Sequence, residues 1–294
     1  MKCNMEVLRE PMTASTDAMS RRALPVSELS DPRLEDYANL RDRELARDRN
    51  AFIAESEVVL RVLVTRPELR VRSVLLAEGR LDKLADALEK LPPNVPVFVA
   101  PQAALDRVVG FHIHRGVLAA VDRPAPRAPA DLLGDFGPGP SRVVVLEGLT
   151  NHDNVGGIFR NAAAFGADAV LLDHATCDPF YRKAIRVSVA GALIVPFART
   201  DETADNLVAL RAAGFTVYAL SPRPTALDLA RIGRVPERVA LLLGTEGPGL
   251  RADSMSAADA ILRIDMASGF DSLNVATTSG IALHALRTAQ GASR

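Results

Sequence analysis

Three runs, Val143 to Leu146, Ala169 to Leu172 and Val239 to Leu243, are apolar at every position. A strand with one face in water alternates polar and apolar residues, whereas a strand that is apolar throughout must be covered on both faces. Stretches with helical spacing separate the runs. The pattern predicts an α/β fold, a mainly parallel sheet with helices on both sides. Beyond Ser141 the remaining expected elements are a helix Val155 to Phe165, a helix Tyr181 to Val189, a strand Leu193 to Phe197 and a helix Ala204 to Ala213. A strand Thr216 to Leu220, a helix near Ser254, a strand Ala260 to Ile264 and a terminal helix complete the set.

A second, smaller alternation precedes this one. A helix is expected over Glu55 to Thr65 with Val58, Val59, Val62 and Leu63 inward, then a strand Ser73 to Ala77 and a helix Leu81 to Leu91. A strand Val95 to Val99, a helix Pro101 to Val108 and a strand Val117 to Val121 follow, which together make a small α/β domain. Between Arg123 and Pro140 lie Pro124, Pro126, Pro129, Pro138 and Pro140 with Gly134, Gly137 and Gly139, a composition that favours extended conformers and reads as a linker. The expected division is therefore a flexible extension over residues 1–30, a small α/β domain over 31–122, a linker over 123–140 and a larger α/β domain over 141–294. Residues Asp31 to Asn50, crowded with alternating charges, read as a solvated helix laced with side-chain pairs.

Composition excludes several classes. With 294 residues, 48% of them apolar and 24% charged, the chain is an ordinary globular sequence. No apolar run approaches the roughly 20 residues that span a bilayer, and Met1 to Arg22 lacks the apolar core of a signal peptide. Cys3 and Cys177 lie far apart without a CxxC or Cys/His cluster, which argues against zinc and against a disulfide framework. A cytoplasmic protein without metal is expected. His112 and His114, two apart, supply half a metal site at most, and with Arg115 they read better as a surface loop that meets phosphate. The net charge of −1 does not announce a nucleic-acid binder, although phosphate affinity depends on where charges lie.

Ligands on parallel sheets bind beyond the carboxyl ends of strands, and three loops there carry unusual residues. The first runs from Glu147 to Arg160 and has neither a GxGxxG nor a GK[ST] pattern, so dinucleotide-binding and P-loop readings are weak. Asn154 is placed to cap the following helix, and Gly156 and Gly157 allow close approach. Arg160 projects from an otherwise apolar helix, either paired with a carboxylate or presented at a site. In the second loop, Gly244, Gly247 and Gly249 make a tight turn around Glu246, suited to holding a flat polar ligand by its backbone. The third runs from Ile264 into the last helix, which is expected to open at Ser272 with its hydroxyl accepting from the Val275 N–H. Thr277, Thr278, Ser279 and Gly280 are poor helix formers, so this helix is expected to be gripped by its surroundings, with Asn274 offering donor and acceptor beside Ser272.

The ordered set Asn154, Gly156, Arg160, then Leu243 to Leu250, then Ile264, Met266 and Ser272 to Val275 resembles the SpoU family of RNA 2′-O-ribose methyltransferases, within the SPOUT superfamily. The resemblance covers Ser141 to Arg287, and Ala51 to Val121 looks like that family's N-terminal substrate-binding domain. It implies a deep C-terminal trefoil knot, through which the last helix threads, and a homodimer whose active site uses both subunits. It also implies S-adenosyl-L-methionine bound by backbone near Gly244, Ile264, Met266 and Leu273, beside a catalytic neighbourhood of Asn154, Arg160, Glu246, Ser272 and Asn274. Asp265 stands where the family commonly has proline, which implies a less rigid loop. The implied substrate is RNA, ribosomal in preference to transfer RNA from the two-domain layout. The alternative is a non-catalytic RNA-binding protein on the same fold.

Overall fold

In a computed structural model of the chain the described residues are 23–26, 31–37, 42–109, 116–268 and 272–291. The phosphate-facing His112, His114 and Arg115, Gly269 to Asp271 and most of the expected N-terminal extension lie outside them. The described part of that extension is not a flexible tail, because Ala23–Pro25 pair as a strand with Val97–Val99 and Val26 is buried. The chain divides into two units, Met1–Arg123 and Pro124–Arg294.

The first unit contains β1 (Ala23–Pro25), α1 (Asp42–Arg49), β2 (Ala51–Glu55), α2 (Glu57–Leu63), β3 (Val71–Ala77), α3 (Leu81–Leu88), β4 (Val97–Ala100), α4 (Gln102–Val109) and β5 (Val117–Asp122). Its mixed sheet has the order β1-β4-β3-β5-β2, with β5 antiparallel to both β3 and β2. The sequence reading missed β2, whose Ala-Phe-Ile-Ala-Glu is buried at every position, and gave its last residue to a helix. The reason is Ser56, which turns the chain at φ 104° and caps α2 by accepting from the Val59 N–H. Starting at Glu57 rotates the helix so that Val59, Leu60 and Leu63 are buried, while Val58 is 46% exposed. The charged stretch is a short 3-10 turn (Pro32–Leu34) followed by α1, and Arg49 ties the two by pairing with Glu35 and Asp36.

The second unit contains α5 (Pro129–Gly134), β6 (Ser141–Leu146), α6 (His152–Phe165), β7 (Ala169–Leu172), α7 (Arg182–Val187), α8 (Gly191–Ile194), β8 (Phe197–Arg199) and α9 (Thr203–Ala212). Then come β9 (Thr216–Leu220), β10 (Leu227–Asp228), β11 (Arg238–Leu243), α10 (Ala252–Ser256), β12 (Ala260–Arg263) and α11 (Val275–Ala289). All seven strands are parallel, in the order β10-β12-β9-β11-β6-β7-β8. The central pair runs in register from Arg238↔Ser141 to Leu243↔Leu146, and β6, β7 and residues 239–243 of β11 are buried throughout. The doubly covered parallel sheet expected from the apolar runs is what forms.

Three local expectations are corrected. The Pro/Gly-rich stretch is not extended throughout, because Pro129 at the first helical position starts α5, whose Leu132 and Leu133 join the core with Val143 and Leu171. Leu193 and Ile194 belong to a helical turn rather than to a strand; a Cβ on Gly191 would lie 2.6 Å from the Phe159 carbonyl oxygen, so close seating on α6 overrides β propensity there. The caps also shift: Asn151, not Asn154, caps α6, and Asn274, not Ser272, caps α11.

Helix α11 is gripped by α6. A Cβ on Gly157 would sit 2.7 Å from the Ala276 Cβ, and one on Gly280 would sit 3.1 Å from Asn161 Nδ2. That amide nitrogen donates to the Ala276 carbonyl at 2.6 Å and to Ser279 Oγ at 3.0 Å, with Ser279 fully buried. Small residues let the two backbones approach, and Asn161 fills the hydrogen-bonding capacity so created. On the other side of α6, a Cβ on Gly156 would meet the Ala184 carbonyl oxygen at 2.7 Å and the Val187 Cβ at 2.9 Å. Gly156→Ala is therefore expected to cost about 1–3 kcal/mol by overpacking, read as a lower Tm, whereas Gly137→Ala, with nothing within 4 Å, leaves Tm unchanged.

Candidate active site

At the carboxyl ends of β9, β11 and β12 the chain encloses a cavity of about 470 Å³. This lies within the range of small-molecule sites and where a parallel sheet is expected to place one. Its floor is apolar, from Leu220, Leu243, Ile264, Met266 and Leu273, and its polar lining comes mainly from the loop after β11. There Gly249 donates to the Thr245 carbonyl at 3.1 Å, and Gly247 and Gly249 take φ of 86° and 72°. A Cβ on Gly244 would overlap the Gly249 carbonyl carbon at 2.5 Å, so the loop closes only with glycine there.

Three polar side chains from three segments meet beside the cavity. Asn154 Nδ2 donates to Glu246 Oε1 at 2.8 Å. Asn274 Nδ2 donates to Asn154 Oδ1 at 2.8 Å and to the same Glu246 oxygen at 3.1 Å. The side-chain oxygen Asn274 Oδ1 meanwhile accepts from the Ala276 and Thr277 N–H groups at 2.9 and 3.2 Å, so one side chain both caps α11 and closes the triangle. Asn154 is buried, while Glu246 and Asn274 are exposed. A carboxylate that receives two amide donors is fixed in orientation and keeps further lone pairs for a ligand.

Of the nine residues expected at the site, Gly244, Glu246, Ile264, Met266, Ser272, Leu273 and Asn274 line the cavity. Asn154 reaches it through hydrogen bonds. Arg160 does not line it: the side chain is exposed on α6 and, among the described residues, has no carboxylate partner. Of the two readings of Arg160, pairing with a carboxylate finds no support. Asp265 forms an ion pair with Arg263 (Nη1–Oδ1 2.5 Å) across Ile264. Sequence reasoning missed Ser221 and Pro222, which enter the lining from the end of β9, and Thr278 from α11. The strand-end rule applied to Thr216–Leu220 was the signal for the first two.

Among the described residues, no three His, Cys, Asp or Glu side chains stand together as metal ligands, and no helix is long and apolar enough to cross a membrane. Burial pushes the Cys177 thiol up to about 11, so it stays protonated and is no nucleophile at neutral pH.

The model of the SpoU rRNA Methylase family matches residues 141–284. A relative from Mycobacterium tuberculosis, an uncharacterised tRNA/rRNA methyltransferase, is 40% identical over 269 residues, covering 88% of this chain and 90% of the relative. The chain belongs to the SpoU family of RNA methyltransferases. A 23S rRNA (guanosine-2′-O-)-methyltransferase of Photobacterium profundum is 28% identical over 237 residues, 80% of this chain and 96% of that relative. The fold is also that of a solved rRNA methyltransferase from Sinorhizobium meliloti, described as bound to AdoMet, with a TM-score of 0.76 over 91% of this chain and 98% of the other at 24% identity.

In this SpoU chain, two Asn274 variants separate the double role of that residue. Asn274→Ser retains a capping oxygen and loses the link to Glu246, whereas Asn274→Ala loses both. Thermal unfolding is expected to place Asn274→Ala about 1 kcal/mol below Asn274→Ser. Equal stabilities would mean that the cap contributes nothing.

Proposed function

We propose that this chain transfers the methyl group of S-adenosyl-L-methionine to a ribose 2′-hydroxyl of RNA. The observation that carries the reading is the hydrogen-bonded triangle of Asn154, Glu246 and Asn274, two of whose members line a glycine-walled cavity. The lining fits the cofactor. Apolar side chains from Leu243, Ile264, Met266 and Leu273 suit a flat adenine, and the exposed backbone of the Gly244–Gly249 turn suits its polar edge.

When bound, the cofactor supplies a methyl group already activated by a positive sulfur. The remaining work falls to alignment and to removal of the hydroxyl proton. Backbone around Gly244, Ile264, Met266 and Leu273 holds the cofactor, and the Asn154–Glu246–Asn274 cluster with Ser272 orients the ribose. The guanidinium of Arg160 presents a planar fork of donors, so it holds the target phosphate and stabilises the developing alkoxide, the hydroxyl proton passing to water as the methyl is transferred. Because Arg160 lies away from the cavity of its own chain, the reading pairs it with the cavity of a second copy: a homodimer with composite sites.

The same reading takes the grip of α6 on α11 as part of a deep trefoil knot through which α11 threads, and residues 31–122 as the domain that holds RNA. Ribosomal RNA is the favoured substrate, in keeping with the 23S rRNA relative, and the cytoplasm the favoured compartment. Nothing observed favours the non-catalytic alternative.

Two variants test the composite site. Arg160→Lys keeps charge but loses the fork, so transfer falls by about a hundredfold or more while cofactor Kd stays within about twofold. Mixing Arg160→Ala and Glu246→Ala chains, each inactive alone, restores transfer, because a mixed dimer holds one site with both groups intact. Wild-type turnover by Arg160→Lys refutes the role of Arg160, and failure of the mixture refutes the shared site.

A further inference from the structure

Glu147 follows the last residue of β6, has only 4% of its surface exposed, and belongs neither to the cavity lining nor to the polar triangle. Its backbone N–H donates to the Leu243 carbonyl at 2.9 Å, extending the β6–β11 ladder by one residue to the point where the glycine loop leaves β11. Its side chain reaches the other end of that loop. Glu147 Oε1 accepts from the Arg251 backbone N–H at 2.7 Å, and Oε2 accepts from Arg251 Nε at 3.2 Å and from the Ser254 hydroxyl. Arg251 is held from its far side by Glu202, Nη1 to Oε2 at 3.0 Å.

One residue therefore holds both ends of the Gly244–Leu250 loop, with its own backbone at the start and its carboxylate just past the finish. The chain between these bonds carries the glycine wall of the cavity and Glu246, the acceptor of the Asn154 and Asn274 amides. A carboxylate sequestered from water with three donors is far less able to exchange partners than an exposed pair, because breaking one bond leaves a buried charge short of a partner. We infer that Glu147 is the positioning residue of the cofactor loop: it sets the span between the loop's ends, and so the width of the cavity and the register of Glu246 on Asn154. The inference rests on the cofactor reading of this cavity only for the identity of the ligand.

The test uses the full chain. Glu147→Gln keeps size and one acceptor but turns an amide N–H toward one of the two Arg251 N–H donors, its backbone N–H or Nε, so one of those bonds is lost. Glu147→Asp keeps the charge on a shorter arm, and Ser254→Ala removes one donor. In ligand-free protein, amide exchange over 244–251 is expected to rise roughly tenfold or more in Glu147→Gln, with the amides of β6 and β7 unchanged. Kd for S-adenosylhomocysteine, measured by calorimetry, weakens roughly tenfold, while KM for RNA stays within about twofold. Glu147→Asp and Ser254→Ala fall between that variant and wild type. Unchanged exchange and Kd in folded Glu147→Gln overturn the inference, and so does an equal rise in exchange across the whole second unit, which marks general destabilisation. If wild-type protein fails to bind S-adenosylhomocysteine, the cofactor reading falls, and the exchange data on ligand-free protein still decide the role of Glu147.

Discussion

Two amide donors on one carboxylate oxygen bring together parts of the chain that are far apart in sequence. Asn154 and Glu246 are 92 residues apart, and Asn154 and Asn274 are 120 apart. Each arrives by a different route: Asn154 from the first turn of α6 after β6, Glu246 from the glycine loop after β11, and Asn274 as the cap of α11. The meeting depends on the central parallel pair β6–β11, whose register from Ser141 to Leu146 brings two of the three loops out side by side. It depends equally on the glycine and serine contacts that let α11 lie against α6, since those bring Asn274 to the other two.

This linkage explains why small residues matter at sites remote from any ligand. Gly156, Gly157 and Gly280 contribute nothing to chemistry, yet each sits where a methyl group would press on a neighbour within 3.1 Å. Interiors are packed densely enough that such pressure moves backbones, and here the backbones carry the side chains of the triangle. Stability of the second unit and geometry of its site are thus properties of the same contacts.

Much of this was legible from residues alone, and the failures have physical causes. The centre of the parallel sheet was readable because strands buried on both faces leave unbroken apolar runs, as in β6, β7 and β11, whereas the two-residue edge strand β10 carries no such run and was missed. The loops were readable because their glycines and asparagines have no reason to cluster in ordinary turns. Caps were misplaced by two or three residues. Ser272 and Asn274 are both good caps, and the seating of Ala276 and Ser279 against Gly157 and Asn161 of α6 is a long-range contact that no local pattern encodes. Strand β2 was hidden because its last residue, Glu55, is charged yet buried and the helix starts only after the turn at Ser56, and Leu193 was misread because Gly191 fits against Phe159, a contact 32 residues distant that no local pattern encodes. The role of Glu147 was invisible for the same reason: its partners lie 104 and 107 residues away.

The most direct measurement is transfer of labelled methyl from S-adenosyl-L-methionine to unmodified total RNA, followed by alkaline hydrolysis of the product. A methyl group on a ribose 2′-oxygen removes the nucleophile that cleaves the adjacent phosphodiester, so label in alkali-resistant dinucleotides is the result that ribose methylation predicts. Label released in single nucleotides would show that the acceptor is a base, and would contradict the reading of this site as one built around a ribose hydroxyl.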